Sequence, residues 1–155
     1  MRRIYKTLRL AYETKYWTDC LASKCNDDLQ EQIDEGLLDQ IENEICSKYK
    51  TLQKGIAFSF KYHVTTGSVI DMAVEEAKDL SIAEWRELAV ETEKAKNHIE
   101  DTELKDATPS MYLLPSTCSE LENLQSKLKG DNKRVPKTAY IIKLAVYHLY
   151  RKTFC

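Results

Sequence analysis

Apolar residues recur along this chain in two rhythms. The run Ile4-Tyr5-Lys6-Thr7-Leu8-Arg9-Leu10 alternates, with Leu8 and Leu10 on one face and Tyr5, Thr7 and Arg9 on the other, which predicts a short strand. From Tyr12 to about Cys25 the spacing changes: Tyr16, Trp17, Cys20, Leu21 and Lys24 fall at i, i+3 and i+4, the signature of a helix. Asn26-Asp27-Asp28 is expected to stop that helix and cap the next. Between Asp28 and about Thr51, Leu29, Ile33, Leu37, Ile41, Ile45 and Tyr49 recur every fourth residue and predict a second amphipathic helix, its other face rich in Asp and Glu. Gly36 and Gly55 are its weak points, and Ile56-Ala57-Phe58-Ser59-Phe60 fits a strand or a helix equally.

The second half repeats these rhythms. Thr65-Thr66-Gly67-Ser68 opens a helix with Val69, Ile70, Ala73, Val74 and Ala77 on its apolar face. Ser81-Ile82-Ala83-Glu84 fits a capping box and starts a charged helix over 81–105, with Trp85, Leu88 and Ala89 available for packing. Ala107-Thr108-Pro109-Ser110 breaks the helical pattern, and Met111-Tyr112-Leu113-Leu114 follows as a short strand. Pro115 then stands where a helix tolerates a missing N–H, ahead of Leu121, Leu124 and Leu128. Gly130-Asp131-Asn132 is a turn, and Thr138 opens a last helix carrying Ile141, Ile142, Ala145, Val146 and Leu149.

Charge changes this picture more than composition does. The net charge is only −2, yet residues 1–16 carry Arg2, Arg3, Lys6, Arg9 and Lys15 against Glu13. Residues 127–155 carry Lys127, Lys129, Lys133, Arg134, Lys137, Lys143, Arg151 and Lys152 against Asp131. Two basic ends and an acidic middle are the distribution expected where both ends meet on one phosphate-contacting face; ordinary solvated charge is the plain alternative. The chain has 3 prolines and 4 glycines, too few for a turn-rich all-β fold. Its 5 cysteines lack a C-x-x-C pair and its 3 histidines lack metal-ligand spacing, so neither a disulfide framework, a metal nor a cofactor is expected. No apolar stretch approaches a membrane span and the first residues do not form a signal-peptide pattern, so a cytoplasmic protein without membrane association is expected.

The order strand, helix, turn, helix thus occurs twice. Thr66-Gly67-Ser68-Val69-Ile70 aligns with Thr138-Ala139-Tyr140-Ile141-Ile142 at a shift of 72, and Leu8-Arg9-Leu10 with Trp17 and Cys20 aligns with Tyr112-Leu113-Leu114 with Leu121 and Leu124 at a shift of 104. The difference of 32 is an insertion in the first copy that holds the acidic helix. Over residues 2–25, 64–80 and 110–152 this arrangement resembles the ribbon-helix-helix family of DNA-binding proteins. A lone strand and two short helices cannot satisfy their backbone or bury both apolar stripes, so two copies belong together.

The resemblance implies a mainly α fold with a small two-stranded antiparallel β-ribbon: a tandem ribbon-helix-helix protein with a helical insertion. The first unit would span 1–80 with the insertion at about 26–60, a connecting helix 81–107, and the second unit 108–155. It would be a monomeric pseudo-dimer, similar to plasmid-transfer accessory proteins, that associates further on DNA. The ribbon would enter the major groove of double-stranded DNA, where Tyr5, Thr7 and Arg9 of the first strand and Met111 and Leu113 of the second read bases. Met111 and Leu113 depart from the polar residues usual there, and burial is the other reading of both. Phosphates would be held at helix N-termini by Thr65, Thr66, Gly67, Ser68 and Thr138, aided by Arg3, Lys133, Arg134 and Lys137. Helix capping is the plain role of the Thr and Ser residues.

The function implied is transcriptional regulation or an accessory role beside a plasmid relaxase. The rival is a non-catalytic helical protein-interaction module, such as an antitoxin or a phage-encoded inhibitor, using the acidic centre and the aromatic tail Tyr140, Tyr147, Tyr150 and Phe154. No phosphate loop, metalloprotease motif or nucleophile signature supports catalysis, and an enzyme is not expected.

Overall fold

The computed structural model describes residues 2–50, 58–100, 103–131 and 134–155. Among them lie two strands, β1 (Ile4–Thr7) and β2 (Ser110–Leu113), and six helices: α1 (Tyr12–Asp34), α2 (Leu37–Lys48), α3 (Thr66–Ala77), α4 (Ile82–Lys96), α5 (Pro115–Lys127) and α6 (Thr138–Phe154). The protein is therefore mainly α with a minor antiparallel ribbon. Two compact units are present, Met1–Ala22 with Thr65–Cys155, and Ser23–Val64.

In the larger unit β1 and β2 pair antiparallel, Ile4 opposite Leu113, Tyr5 opposite Tyr112, Lys6 opposite Met111 and Thr7 opposite Ser110. The same register continues to Leu10 and Ala107, which exchange two backbone hydrogen bonds of 2.7 and 3.0 Å. The ribbon thus runs from Ile4 to Leu10 on one side and from Ala107 to Leu113 on the other, centred on the Thr7–Ser110 pair. Its inner face is closed by Leu10, Met111 and Leu113, all buried.

Behind it, α3 and α6 make the most extensive helix pair. Both start with Thr, 72 residues apart, and bury the same positions: Val69, Ile70, Ala73 and Val74 in one, Ile141, Ile142, Ala145 and Val146 in the other. Trp17 and Leu21 of α1, Trp85 and Leu88 of α4, and Leu121 and Leu124 of α5 complete the core. Trp17 lies 4.8 Å from the Tyr147 ring, so α1 meets α6 through aromatic side chains. Burying a residue of this size contributes roughly 1.5–3 kcal/mol, and these contacts position the strands.

Several sequence expectations are corrected. Asn26-Asp27-Asp28 does not end α1, which runs on to Asp34. Lys24 and Asp28 pair one turn apart and support the helix. The Asn26 carboxamide is not capping a helix: its Oδ1 accepts from the Val64 N–H at 2.8 Å and its Nδ2 donates to the Val64 carbonyl at 3.4 Å. The break falls at Gly36, whose φ of 100° admits glycine readily. The charged helix ends at Lys96, not 105; Ser81 and Glu84 cap its start reciprocally, as expected. Phe58, Ser59 and Phe60 belong to no helix or strand, while Ile56 and Ala57 lie outside the described residues.

The register also corrects the strand alignment. Residues that face each other share a face, so the outer face holds Tyr5, Thr7, Arg9, Thr108, Ser110 and Tyr112. Strand residues therefore correspond at a shift of 103, Leu8 with Met111 and Leu10 with Leu113. The helices keep 104, because Trp17 and Leu121 are both buried. One residue of difference in the strand-to-helix connection exchanges the two faces.

Candidate nucleic-acid interface

The outer ribbon face is polar and hydroxyl-rich. Tyr5 Oη and Ser110 Oγ lie 2.9 Å apart, and Thr7 Oγ1 donates to Tyr5 Oη at 3.3 Å. Hydrogen bonds from Ser110 and then Thr7 lower the Tyr5 hydroxyl pKa, because both stabilise a phenolate. The Tyr112 ring stands edge-on to Tyr5, centroids 5.5 Å apart. Arg9 is the outer face's cation among the described residues; its Nη2 pairs with Asp106 Oδ2 at 3.1 Å, while Asp106 Oδ1 accepts from the Tyr12 N–H at 3.0 Å. Arg9 remains 77% exposed in that pair, and an exposed ion pair of this kind contributes less than about 1 kcal/mol.

The ribbon is fixed to α3 by a buried carboxylate. Asp71, 8% exposed, accepts from the Arg3 guanidinium through one oxygen and from the Leu114 N–H at 3.1 Å through the other. The guanidinium also donates to the Tyr112 carbonyl at 3.2 Å. One side chain thus ties the start of β1 and the end of β2 to one helix. At the start of α3, Thr65 Oγ1 accepts from the Ser68 N–H at 3.2 Å, while the Thr66 and Gly67 N–H groups have no acceptor among the described residues. Gly67 sits so close to β2 that a Cβ there would lie 2.4 Å from the Tyr112 carbonyl oxygen. Lys137 caps α6 without a side-chain bond; Tyr140 and Ile141 both donate to its carbonyl, and the Thr138 and Ala139 N–H groups have no acceptor among the described residues.

Of the residues expected to read bases, Tyr5, Thr7 and Arg9 lie together on the outer face. Met111 and Leu113 do not: at 2% and 1% exposed they point into the core, since they lie opposite Lys6 and Ile4 and in phase with Leu10. Thr108, Ser110 and Tyr112 occupy the outer positions instead. Their signal is present in the sequence as polar residues at every second position between Pro109, Met111 and Leu113. Of the phosphate set, Thr65–Ser68 start α3 but Gly67 is buried against β2, Lys137 and Thr138 start α6, Arg134 and Lys137 are exposed, and Arg3 is engaged by Asp71. Lys133 lies outside the described residues. Asp71 and Asp106 were not foreseen; nothing in linear spacing links either to an arginine 68 or 97 positions away.

Among the described residues no cluster of His, Cys, Asp and Glu could hold a metal ion, and no helix is long and apolar enough to cross a membrane. No family model matches the chain, and no curated protein or solved structure matches it. What stands on geometry is a mainly helical protein whose exposed two-stranded ribbon is flanked by two open helix N-termini.

Proposed function

We propose that the chain is a tandem ribbon-helix-helix protein that binds double-stranded DNA sequence-specifically, without catalysis, as a transcriptional regulator or an accessory to plasmid transfer. One observation carries this reading: two strands a hundred residues apart in the chain pair into a ribbon whose outward positions are polar on both sides. A two-stranded ribbon is of a width the major groove admits. Arg9 would leave its exposed pair with Asp106 for guanine O6 and N7, and the hydroxyls of Tyr5, Thr7, Ser110 and Tyr112 would exchange bonds with base edges. The open amides of α3 and α6, with Lys137 and Arg134, would take phosphates on either side. Unequal outer residues on the two strands imply an asymmetric target.

The test is selection of bound sequences from a random duplex pool, followed by anisotropy titration of the winners at several salt concentrations. Affinity for the selected site at least ~10³-fold above random duplex, falling steeply with salt, is expected. Salt-insensitive binding or no enrichment would overturn the reading. A second reading, a module for a protein partner such as an antitoxin or inhibitor, is favoured by the neutralisation of Arg9 by Asp106. That reading predicts no salt-dependent duplex binding.

A further inference from the structure

Away from the ribbon, α4, the end of α5 and the start of α6 enclose a cavity of about 340 Å³, within the size range of small-ligand sites. Its floor is apolar: Trp85, Ala89, Leu128, Pro136 and Leu144, with Tyr140 at one wall. It adjoins a depression of about 750 Å³ whose rim carries Arg86, Lys129, Arg134 and Lys137. Among the described residues Arg86, Arg134 and Lys137 make no ion pair, whereas nearby Lys127 donates to the Leu80 carbonyl at 2.6 Å. Among the described residues Asp131 is the one carboxylate in either lining. Trp85, 2% exposed, keeps a buried indole N–H with no acceptor among the described residues, and a buried donor left so costs about 1–3 kcal/mol.

We propose that this cavity binds a small organic monocarboxylate with a flat apolar body, the body against Leu128, Pro136 and Tyr140 above the buried Trp85 and the carboxylate at Arg86 and Arg134. An apolar floor beneath unpaired cations calls for an amphipathic anion, and a guanidinium fork matches a carboxylate geometrically. Asp131 offsets one of the four rim cations, and the apolar floor beneath them favours a single carboxylate on an apolar body over a polyanion such as a nucleotide. Lys137 links the cavity to the first residue of α6. Ligand held at that rim would compete with phosphate for Lys137, a consequence that rests on the DNA-binding reading above.

The site is tested with 2-naphthoate as probe and the ¹⁵N-labelled chain. The Trp85 indole N–H resonance is expected to move saturably while that of Trp17, buried against Tyr147, stays still. Uncharged 2-naphthalenemethanol should bind about ten-fold more weakly, as should 2-naphthoate to Arg86→Gln, equivalent to about 1.4 kcal/mol each. Ala89→Leu, which fills the floor, should abolish the shift, and Arg86→Gln, at an exposed position, covers the case in which Ala89→Leu does not fold. A motionless Trp85 resonance at millimolar 2-naphthoate, or equal binding of acid and alcohol, would overturn the proposal. Saturating 2-naphthoate should also weaken duplex binding several-fold. A Trp85 shift in a chain that binds no duplex would support the cavity site and remove the DNA reading, whereas duplex binding indifferent to bound naphthoate would overturn the coupling.

Discussion

Replacing Gly67 by alanine sets two physical effects against each other. Helix propensity alone favours the change by up to about 1 kcal/mol, since glycine is the costlier residue inside a helix. Packing opposes it. The added methyl would sit 2.4 Å from the Tyr112 carbonyl oxygen, with the Tyr112 carbonyl carbon at 3.2 Å and its nitrogen at 3.3 Å. An ordinary contact begins near ~3.5 Å, so α3 and β2 must separate by about an ångström. The neighbour is backbone held in a ladder and tied through Asp71, not the end of a flexible side chain. Overpacking costs about 1–3 kcal/mol; against fixed backbone at 2.4 Å the upper part of that range, ~2–3 kcal/mol, applies, and after the propensity gain a net destabilisation of about 1–2 kcal/mol follows. Urea unfolding followed by circular dichroism measures it; with a slope of about 2 kcal/mol per molar, the midpoint should fall by roughly half a molar to one molar. Ala139, 72 residues on, is the control, because Ala139→Gly should lose only the propensity difference. A Gly67→Ala chain as stable as the parent would refute the close seating of α3 on the ribbon.

Asp71→Ala should cost about 1–3 kcal/mol, below the figure for a fully buried pair because Arg3 is 38% exposed; in a double-mutant cycle with Arg3→Ala, a coupling near zero would deny the tie. Met111→Ala should lose about 2–5 kcal/mol of stability, whereas Tyr112→Ala should leave the urea midpoint nearly unchanged and weaken selected-duplex binding; the reverse pattern would mean the register is wrong. Arg9→Ala should unfold within about 0.5 kcal/mol of the parent yet lose about 1–3 kcal/mol of discrimination at one base pair, and equal binding of selected and random duplexes by both chains would remove Arg9 as a reader. Burial, then Arg151 and Lys152, lower the His148 pKa from its usual 6.5. The folded state therefore binds the proton less well than the unfolded chain, so His148 contributes stability that is present above pH 6.5 and lost as pH falls through the lowered value. A urea midpoint that does not drop below pH 6.5 more for the parent than for His148→Gln would contradict this.

Local rhythm made the elements legible, and long-range register did not. The four-residue recurrence of Leu29, Ile33 and Leu37 marks helical character from Asp28, which the structure carries to Lys48 with a break at Gly36, but cannot say whether Asn26 caps a helix or spends its carboxamide on Val64, 38 positions away. The capping box at Ser81–Glu84 and Pro115 at a helix start are local and read correctly. For the ribbon, the shift of 104 that aligns Trp17 with Leu121 is right for the helices and one residue out for the strands. Because side chains alternate, that single residue sends Met111 and Leu113 inward and Ser110 and Tyr112 outward.

The corrected face also alters the chemistry the ribbon can offer. With Met111 and Leu113 outward, the second strand could have made only apolar contacts, such as those to thymine methyls. With Thr108, Ser110 and Tyr112 outward, both strands present hydroxyls and the face becomes one hydrogen-bonding surface with a single cation at its end. Hydroxyls donate and accept, so on a duplex they would discriminate bases weakly one at a time, and directional selectivity would fall to Arg9. Asp106 then matters twice, because it neutralises Arg9 in the free protein and would stand unpaired near phosphates once Arg9 turned to a base. Asp106→Asn should therefore raise affinity for selected and random duplexes alike. Its amide oxygen can still accept from the Tyr12 N–H, which keeps the fold, while the opposing charge is gone. Removal of one negative charge at an exposed position should strengthen binding by about 0.5–1 kcal/mol at low salt, fading as salt rises. Anisotropy titrations of both chains at low and high salt decide the matter: an unchanged low-salt affinity would mean that Asp106 never faces the DNA, and that the outer ribbon face is not where the duplex lies.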